Sequence, residues 1–178
     1  VTFAQNMLHF IQSRDYGLMR RVNHWTPPRW IRMWMICATR GGDGWLWYAL
    51  GAAILLFGGD NRYRALAAAA LAAAFGIALF LGLKRLTGRK RPCHLEPHCW
   101  AHLLPPDQFS FPSGHTIIAF AVAVPLALFF GELAAGVLFC AFSIALSRIL
   151  LGMHFLSDVI AGAAIGSALG YASFHLFA

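Results

Sequence analysis

The sequence predicts an all-α, polytopic membrane helix bundle of about five transmembrane helices preceded by amphipathic interfacial helices. Three observations predict it. Apolar residues make up 59% of the 178 and charged residues only 12%, about half the charged share of an ordinary soluble domain. Mean hydropathy is positive. Five separate segments of 15 to 19 residues each are predominantly apolar, and five in one small chain leave little room for a soluble core. The length suits a single domain over residues 1–178, with an interfacial part at 1–43 and a transmembrane core at 44–178.

The elements follow in order. Over residues 4–22, Met7, Phe10, Ile11, Leu18 and Val22 recur near helical spacing after Phe3, with polar groups between. This predicts an amphipathic helix lying at the membrane interface. Gln12, Arg14, Asp15, Arg20 and Arg21 break any uninterrupted apolar core, so residues 1–24 do not read as a signal peptide. The chain opens on Val1 rather than Met, as a trimmed or processed chain would. Thr26-Pro27-Pro28 punctuates it, and a second helix is expected near 29–39, where Trp30, Trp34, Arg29 and Arg32 form a headgroup-zone mixture. Gly41-Gly42-Asp43-Gly44 reads as a turn.

The apolar segments lie at about 44–58, 65–83, 116–130, 133–151 and 159–177. A 19-residue helix reaches roughly 28 Å, close to the hydrocarbon thickness of a bilayer. Pro125 is expected to kink the third. Gly162, Gly166 and Gly170 place small residues at four-residue intervals in the fifth. That spacing suits close helix packing inside the bundle more than homodimerisation. With five crossings, the end of span two, start of span three, end of span four and start of span five share one face. Oligomeric state is left open.

The formal net charge of +7 is concentrated in the first forty residues and between Lys84 and Arg91. It does not form the basic face of a nucleic-acid binder, and no nucleic-acid motif is present. Three fragments carry chemistry on the shared face: Lys84 with Arg91-Pro92, then Pro112-Ser113-Gly114-His115, then Ser147-Arg148 with His154 and Asp158. Ionisable groups at this depth are costly and mark sites. Lys84, Arg91 and Arg148 arrive from separate elements and suit a dianionic group, arginine by its planar fork and lysine as a mobile point charge. Arg85, Arg89 and Lys90 read as headgroup contacts at a helix end. Ser113 and Gly114 precede a helix, where a serine can cap and free backbone N–H groups favour anions. His115 falls in the first turn and reaches the same anion. His154 and Asp158 are four apart, so a carboxylate can fix the ring tautomer and leave the other nitrogen nucleophilic.

In this order and spacing the residues resemble the type 2 phosphatidic acid phosphatase (PAP2) superfamily, whose pattern is K-x6-RP, PSGH and SR-x5-H-x3-D. The match is complete at Lys84, Arg91-Pro92, Pro112-Ser113-Gly114-His115, Ser147-Arg148, His154 and Asp158, and the resemblance covers residues 65–177. It implies that His154 is the nucleophile forming a phosphohistidine, with Asp158 orienting it. It implies His115 as general acid, and Lys84, Arg91, Arg148, Ser113 and the Gly114 amide as phosphate ligands. It implies no metal and no cofactor. The membrane branch of the family acts on lipid phosphates or diphosphates such as phosphatidic acid, phosphatidylglycerophosphate, undecaprenyl diphosphate or lipid A phosphate. The expected partner is therefore a membrane lipid phosphate, entering sideways at headgroup depth. A lipid phosphotransferase on the same scaffold shares the first half-reaction, and a non-catalytic lipid-binding or transport protein would be expected to lack some of these residues.

Between Pro92 and Phe111 lies Cys93-His94-Leu95-Glu96-Pro97-His98-Cys99. A Cys93–Cys99 disulfide over the site would require an oxidising compartment. The alternatives are a zinc site from Cys93, His94, His98 and Cys99, or two free thiols. Cys37 and Cys140 read as membrane-embedded thiols. Of 14 Lys and Arg, only Arg62 and Arg64 fall on the face opposite the site; counted literally, that puts the site in the cytoplasm. Phosphate binding and headgroup contact account for much of the excess. Most bacterial relatives of this type face the periplasm, so the expected location is a bacterial inner membrane with the site on the periplasmic face.

Overall fold

The computed structural model describes residues 3–95 and 107–178. Among them the regular elements are helical: α1 (Phe3–His24), α2 (Arg29–Arg40), α3 (Leu46–Phe57), α4 (Arg62–Thr87), α5 (Pro92–Leu95), α6 (Gly114–Phe129), α7 (Ala134–Leu150) and α8 (Leu156–Phe177). The helices that begin at Gly59, Gly131 and Leu156 are long and apolar enough to cross a membrane. Helix α6 is apolar but has 16 residues, and α3 has 12. The chain is a multi-pass helical membrane protein. Three of the five expected spans reach full crossing length.

Helix α6 is the centre of the bundle, with α4, α7 and α8 packed round it. Its Ile117, Ala119, Ala121 and Ala123 are wholly shielded. The α8 glycines explain how close the packing is. A Cβ on Gly166 would lie 2.3 Å from the Ile117 carbonyl oxygen, and one on Gly162 2.9 Å from that of Ser113. The stripe therefore belongs to the inside of the bundle. Helix α6 continues through Pro125, whose missing N–H frees the Ala121 carbonyl. Gly170 packs there, where a Cβ would meet Pro125 Cδ at 2.9 Å and Ala121 O at 3.1 Å.

The N-terminal helices pack against the rest of the protein. On α1, Met7, Phe10 and Ile11 are exposed, whereas Asp15 and Met19 are buried against the protein. Tyr16 meets Phe155 with ring centroids 5.6 Å apart. Helix α2 turns Met35 onto Leu151 and Met153, and stacks Trp34 on Phe139 of α7. The stretch Gly41–Trp45 is the expected turn: the chain kinks between α2 and α3 at Gly44, with φ 124°, a backbone conformation glycine takes without a Cβ clash. The kink brings Asp43 to the end of the bundle where the motif residues collect.

Candidate active site

Five helix ends meet there. Lys84 is in the last turn of α4, which stops at Gly88 in the left-handed region. Arg91 immediately precedes α5, His115 sits in the first turn of α6, and Arg148 in the last turn of α7. Asp158 is in the first turn of α8. The connection from α7 to α8 carries His154 and is stapled from several sides. The Arg148 carbonyl accepts from both Met153 N and His154 N at 3.0 Å, and Arg91 Nη1 donates to the Met153 carbonyl at 2.8 Å. Cys93 N donates to the Gly152 carbonyl at 3.1 Å. The structure thus brings every predicted site residue to one end of the bundle.

His154 is 2% exposed, and its Nε2 lies 3.0 Å from Arg91 Nη1. A guanidinium only donates, so Nε2 is the acceptor and the proton of the neutral ring is on Nδ1. That nitrogen points to Asp158 Oδ2 at 3.6 Å, an ion-pair separation longer than a hydrogen bond. Oδ2 instead accepts from Ser110 Oγ and from Phe155 N at 2.9 Å, which also caps α8. Burial is the main influence on the His154 ring and pushes its pKa down to about 3, with Arg148 and Arg91 adding to the effect against Asp158. The imidazole is neutral and its Nε2 lone pair faces cations.

Lys84 and Arg91 converge on a carboxylate that the sequence did not mark. Asp107 accepts from Lys84 Nζ at 2.6 Å and from Arg91 Nη2 at 2.9 Å, and its carbonyl accepts from Arg91 Nε at 2.9 Å. Partial burial pushes the Asp107 carboxyl up, but the Lys84 and Arg91 hydrogen bonds outweigh it and hold the pKa down to about 2. Arg148 is buried and donates through Nη1 to Thr39 of α2, while its Nε has no partner among the described residues. A buried guanidinium N–H left open is a strong donor for an incoming anion.

His115 Nε2 lies 2.8 Å from Asp43 Oδ1. Gly42 makes room beside it: a Cβ there would sit 3.3 Å from His115 Cδ2 and 3.0 Å from Ile144 Cγ2. Ser113 occupies the N-cap position of α6, but its side chain makes no cap bond to backbone. Its Oγ accepts from Thr116 Oγ1 at 2.9 Å, and its backbone N–H goes to the Asp158 carbonyl at 3.2 Å. Phe80 packs directly over Gly114.

Arg89 is not the headgroup contact that its place in a basic run suggests. Its Nη1 donates to Asp158 Oδ1 and Ser157 Oγ at 2.7 Å each, and its Nη2 to Asp15 Oδ2 at 2.6 Å. Its guanidinium lies 4.2 Å from the Phe155 ring centroid. Sequence reasoning missed Asp15, Asp43, Asp107, Ser110 and Thr39 as well. Only Asp43, in a four-residue run with three glycines, carried a local signal. The disulfide expectation is not supported: Cys93 is a free thiol, and His98 and Cys99, the other members of the expected zinc set, lie outside the described residues.

The PAP2 superfamily model matches residues 64–178. Over 127 residues, 71% of this chain and 68% of the relative, the sequence is 39% identical to a decaprenylphosphoryl-5-phosphoribose phosphatase of Mycobacterium tuberculosis. It is 36% identical over 89 residues to a lipid A 1-phosphatase of Rhizobium johnstonii, covering 48% of this chain and 36% of that one. Among solved structures, LpxE of Aquifex aeolicus superposes with a TM-score of 0.75 at 29% identity, covering 90% of this chain and 94% of that one.

Proposed function

The chain belongs to the PAP2 superfamily, and on that premise we propose that it hydrolyses a phosphate monoester carried by a membrane lipid through a phosphohistidine at His154. The observation that carries the reading is the Arg91–His154 contact, which assigns the ring proton to Nδ1 and leaves Nε2 as the nucleophile. Nε2 attacks phosphorus and the bond to the lipid oxygen breaks, with His115 giving that oxygen its proton. Asp43 accepts from His115 Nε2–H, so the proton transferred is the second one, held on Nδ1 in the imidazolium form of His115. Water, deprotonated by His115, then attacks phosphorus and the P–N bond breaks, releasing inorganic phosphate. Asp158 stabilises the His154 ring from the Nδ1 side, and Lys84, Arg91 and the open Nε of Arg148 take the phosphoryl oxygens as charge develops. The Ser113 hydroxyl and the Gly114 amide complete the cradle at the α6 N-terminus. The 39% identity to a lipid-phosphate phosphatase supports the monoester over a diphosphate.

The experiment is phosphate release from detergent-purified protein on phosphatidic acid, phosphatidylglycerophosphate and a polyprenyl-phosphoryl ribose phosphate, with EDTA present. Inorganic phosphate from at least one monoester, abolished by His154→Ala, is expected. A newly phosphorylated lipid in place of phosphate would overturn hydrolysis, and loss of activity to EDTA would overturn the metal-free mechanism.

We place the catalytic end at the periplasmic face of the inner membrane. Lys84, Arg89 and Arg91 are engaged by acidic partners within the protein, which supports removing them from the positive-inside count. Labelling of Cys93, a free thiol next to Gly152, by a membrane-impermeant maleimide on intact spheroplasts is expected in a variant whose other cysteines are serine; labelling only after lysis would count against it.

A further inference from the structure

Asp15 is 4% exposed, although it stands on a helix whose other charged residues face outward. It reaches out of α1 to the first turn of α8: Oδ1 accepts from Ser157 N at 3.1 Å, and Oδ2 from Ser157 Oγ and Arg89 Nη2 at 2.6 Å. The same guanidinium holds Asp158 Oδ1 at 2.7 Å. Phe155, next to His154, lies between Tyr16 of α1 and the Arg89 guanidinium. A chain of hydrogen-bonded ion pairs therefore runs from Asp15 through Arg89 to Asp158, whose Oδ2 lies 3.6 Å from His154 Nδ1, with the α1 ring contact beside it.

We propose that Asp15 and Arg89 are positioning residues of the reaction, so that the amphipathic helix α1 forms part of the catalytic centre and not merely a membrane anchor. The inference rests on the phosphohistidine reading. Asp158 sits between a histidine, a serine, a backbone N–H and Arg89, and its Oδ2 is 3.6 Å from His154 Nδ1. An arginine facing only Asp158 would draw the carboxylate away from the ring and weaken its hold on the imidazolium-like transition state. Asp15 takes the other end of the guanidinium and shares its charge. It thereby sets how much of the Asp158 charge is left for His154. Met7, Phe10 and Ile11 of α1 are exposed, the apolar face by which an interfacial helix would seat in a membrane, and that seating would hold this chain together.

The charged groups facing His154 are Arg91, Arg148, Asp158 and, behind Asp158, Arg89 and Asp15. Removing a carboxylate and removing a cation from this set move the acid limb of kcat/KM in opposite directions. On the best lipid of the panel, Asp15→Asn is expected to lower kcat at least tenfold with KM within about threefold, and to move the acid limb to lower pH. Arg89→Gln should move it to higher pH, and the double variant should return it near the wild-type position. Asp15→Glu, which keeps the charge, should leave the limb in place even if turnover falls, and it serves if Asp15→Asn fails to fold. Limbs that stay put in both single variants, or that move the same way, would overturn the inference. His154→Ala in the same assay separates the two levels. If it is inactive while the limbs do not move, only the positioning role is lost; if it turns over normally, the phosphohistidine reading itself fails.

Discussion

Arg91 Nη1 lies 3.0 Å from His154 Nε2, and this one contact puts the ring proton on Nδ1, so that Nε2 is the nucleophile of the proposed reaction. Arginine has no acceptor and does not deprotonate in proteins, so the assignment holds wherever the ring is neutral, above its pKa of about 3. The same guanidinium reaches Asp107 and the Met153 carbonyl. It fixes the loop carrying His154 while presenting the donors that a phosphoryl group needs.

Asp107 occupies Lys84 and Arg91 as a phosphoryl group would, with one oxygen on each cation. With its pKa held at about 2, it is an anion throughout the working range and, in the proposed reaction, would compete with the substrate phosphate for both cations. Asp107→Asn is expected to tighten inhibition by orthovanadate several-fold, read as the inhibition constant. Unchanged or weaker inhibition would show that the carboxylate does not compete.

Asp43 holds His115 by Nε2. Asp43→Asn should lower kcat on a lipid phosphate about 10- to 100-fold, the range of a general acid that is poorly set. A p-nitrophenyl phosphate substrate, whose leaving group needs no proton, should lose much less. Equal losses on both would assign Asp43 a structural role.

Burial lowers the His154 pKa from 6.5 to about 3. The unfolded chain therefore binds a proton that the folded one refuses. The neutral ring contributes stability in full above about pH 6.5, and this is lost as pH falls from there towards 3. The melting temperature of wild type in detergent should drop across that window more than that of His154→Gln. Parallel curves would contradict the burial argument.

Gly166 lies against the Ile117 backbone, with a built Cβ at 2.3 Å from the carbonyl oxygen. Gly166→Ala should separate α6 from α8 and destabilise the fold by about 1–3 kcal/mol, the usual cost of overpacking. A thermal melt reads this directly; Gly136→Ala, in open space, is the control and should be neutral.

The helices were legible because apolar periodicity and length report on them locally. The glycine stripe was legible because spacing of four fixes a helix face. Lys84, Arg91, His115, Arg148, His154 and Asp158 were legible from their order and spacing, and the structure gathers them at one end. What stayed hidden were the carboxylates. Asp15 read as a polar interruption of an amphipathic helix, and only the docking of α1 onto Phe155 buries it. Asp107 lies in a loop without periodicity, and its partners are 23 and 16 residues away. Arg89 was indistinguishable from its basic neighbours because the acids that claim it come from α1 and α8. Ion pairs between distant elements leave no pattern in a single sequence.

The most direct test of the account is to trap the covalent intermediate. Purified protein is mixed with a turned-over lipid phosphate bearing labelled phosphorus, quenched in alkali within one turnover, digested and mapped. The account predicts an alkali-stable, acid-labile label on the peptide carrying His154, absent from His154→Ala. A label on Ser113 or another residue, or full turnover by His154→Ala, would contradict it.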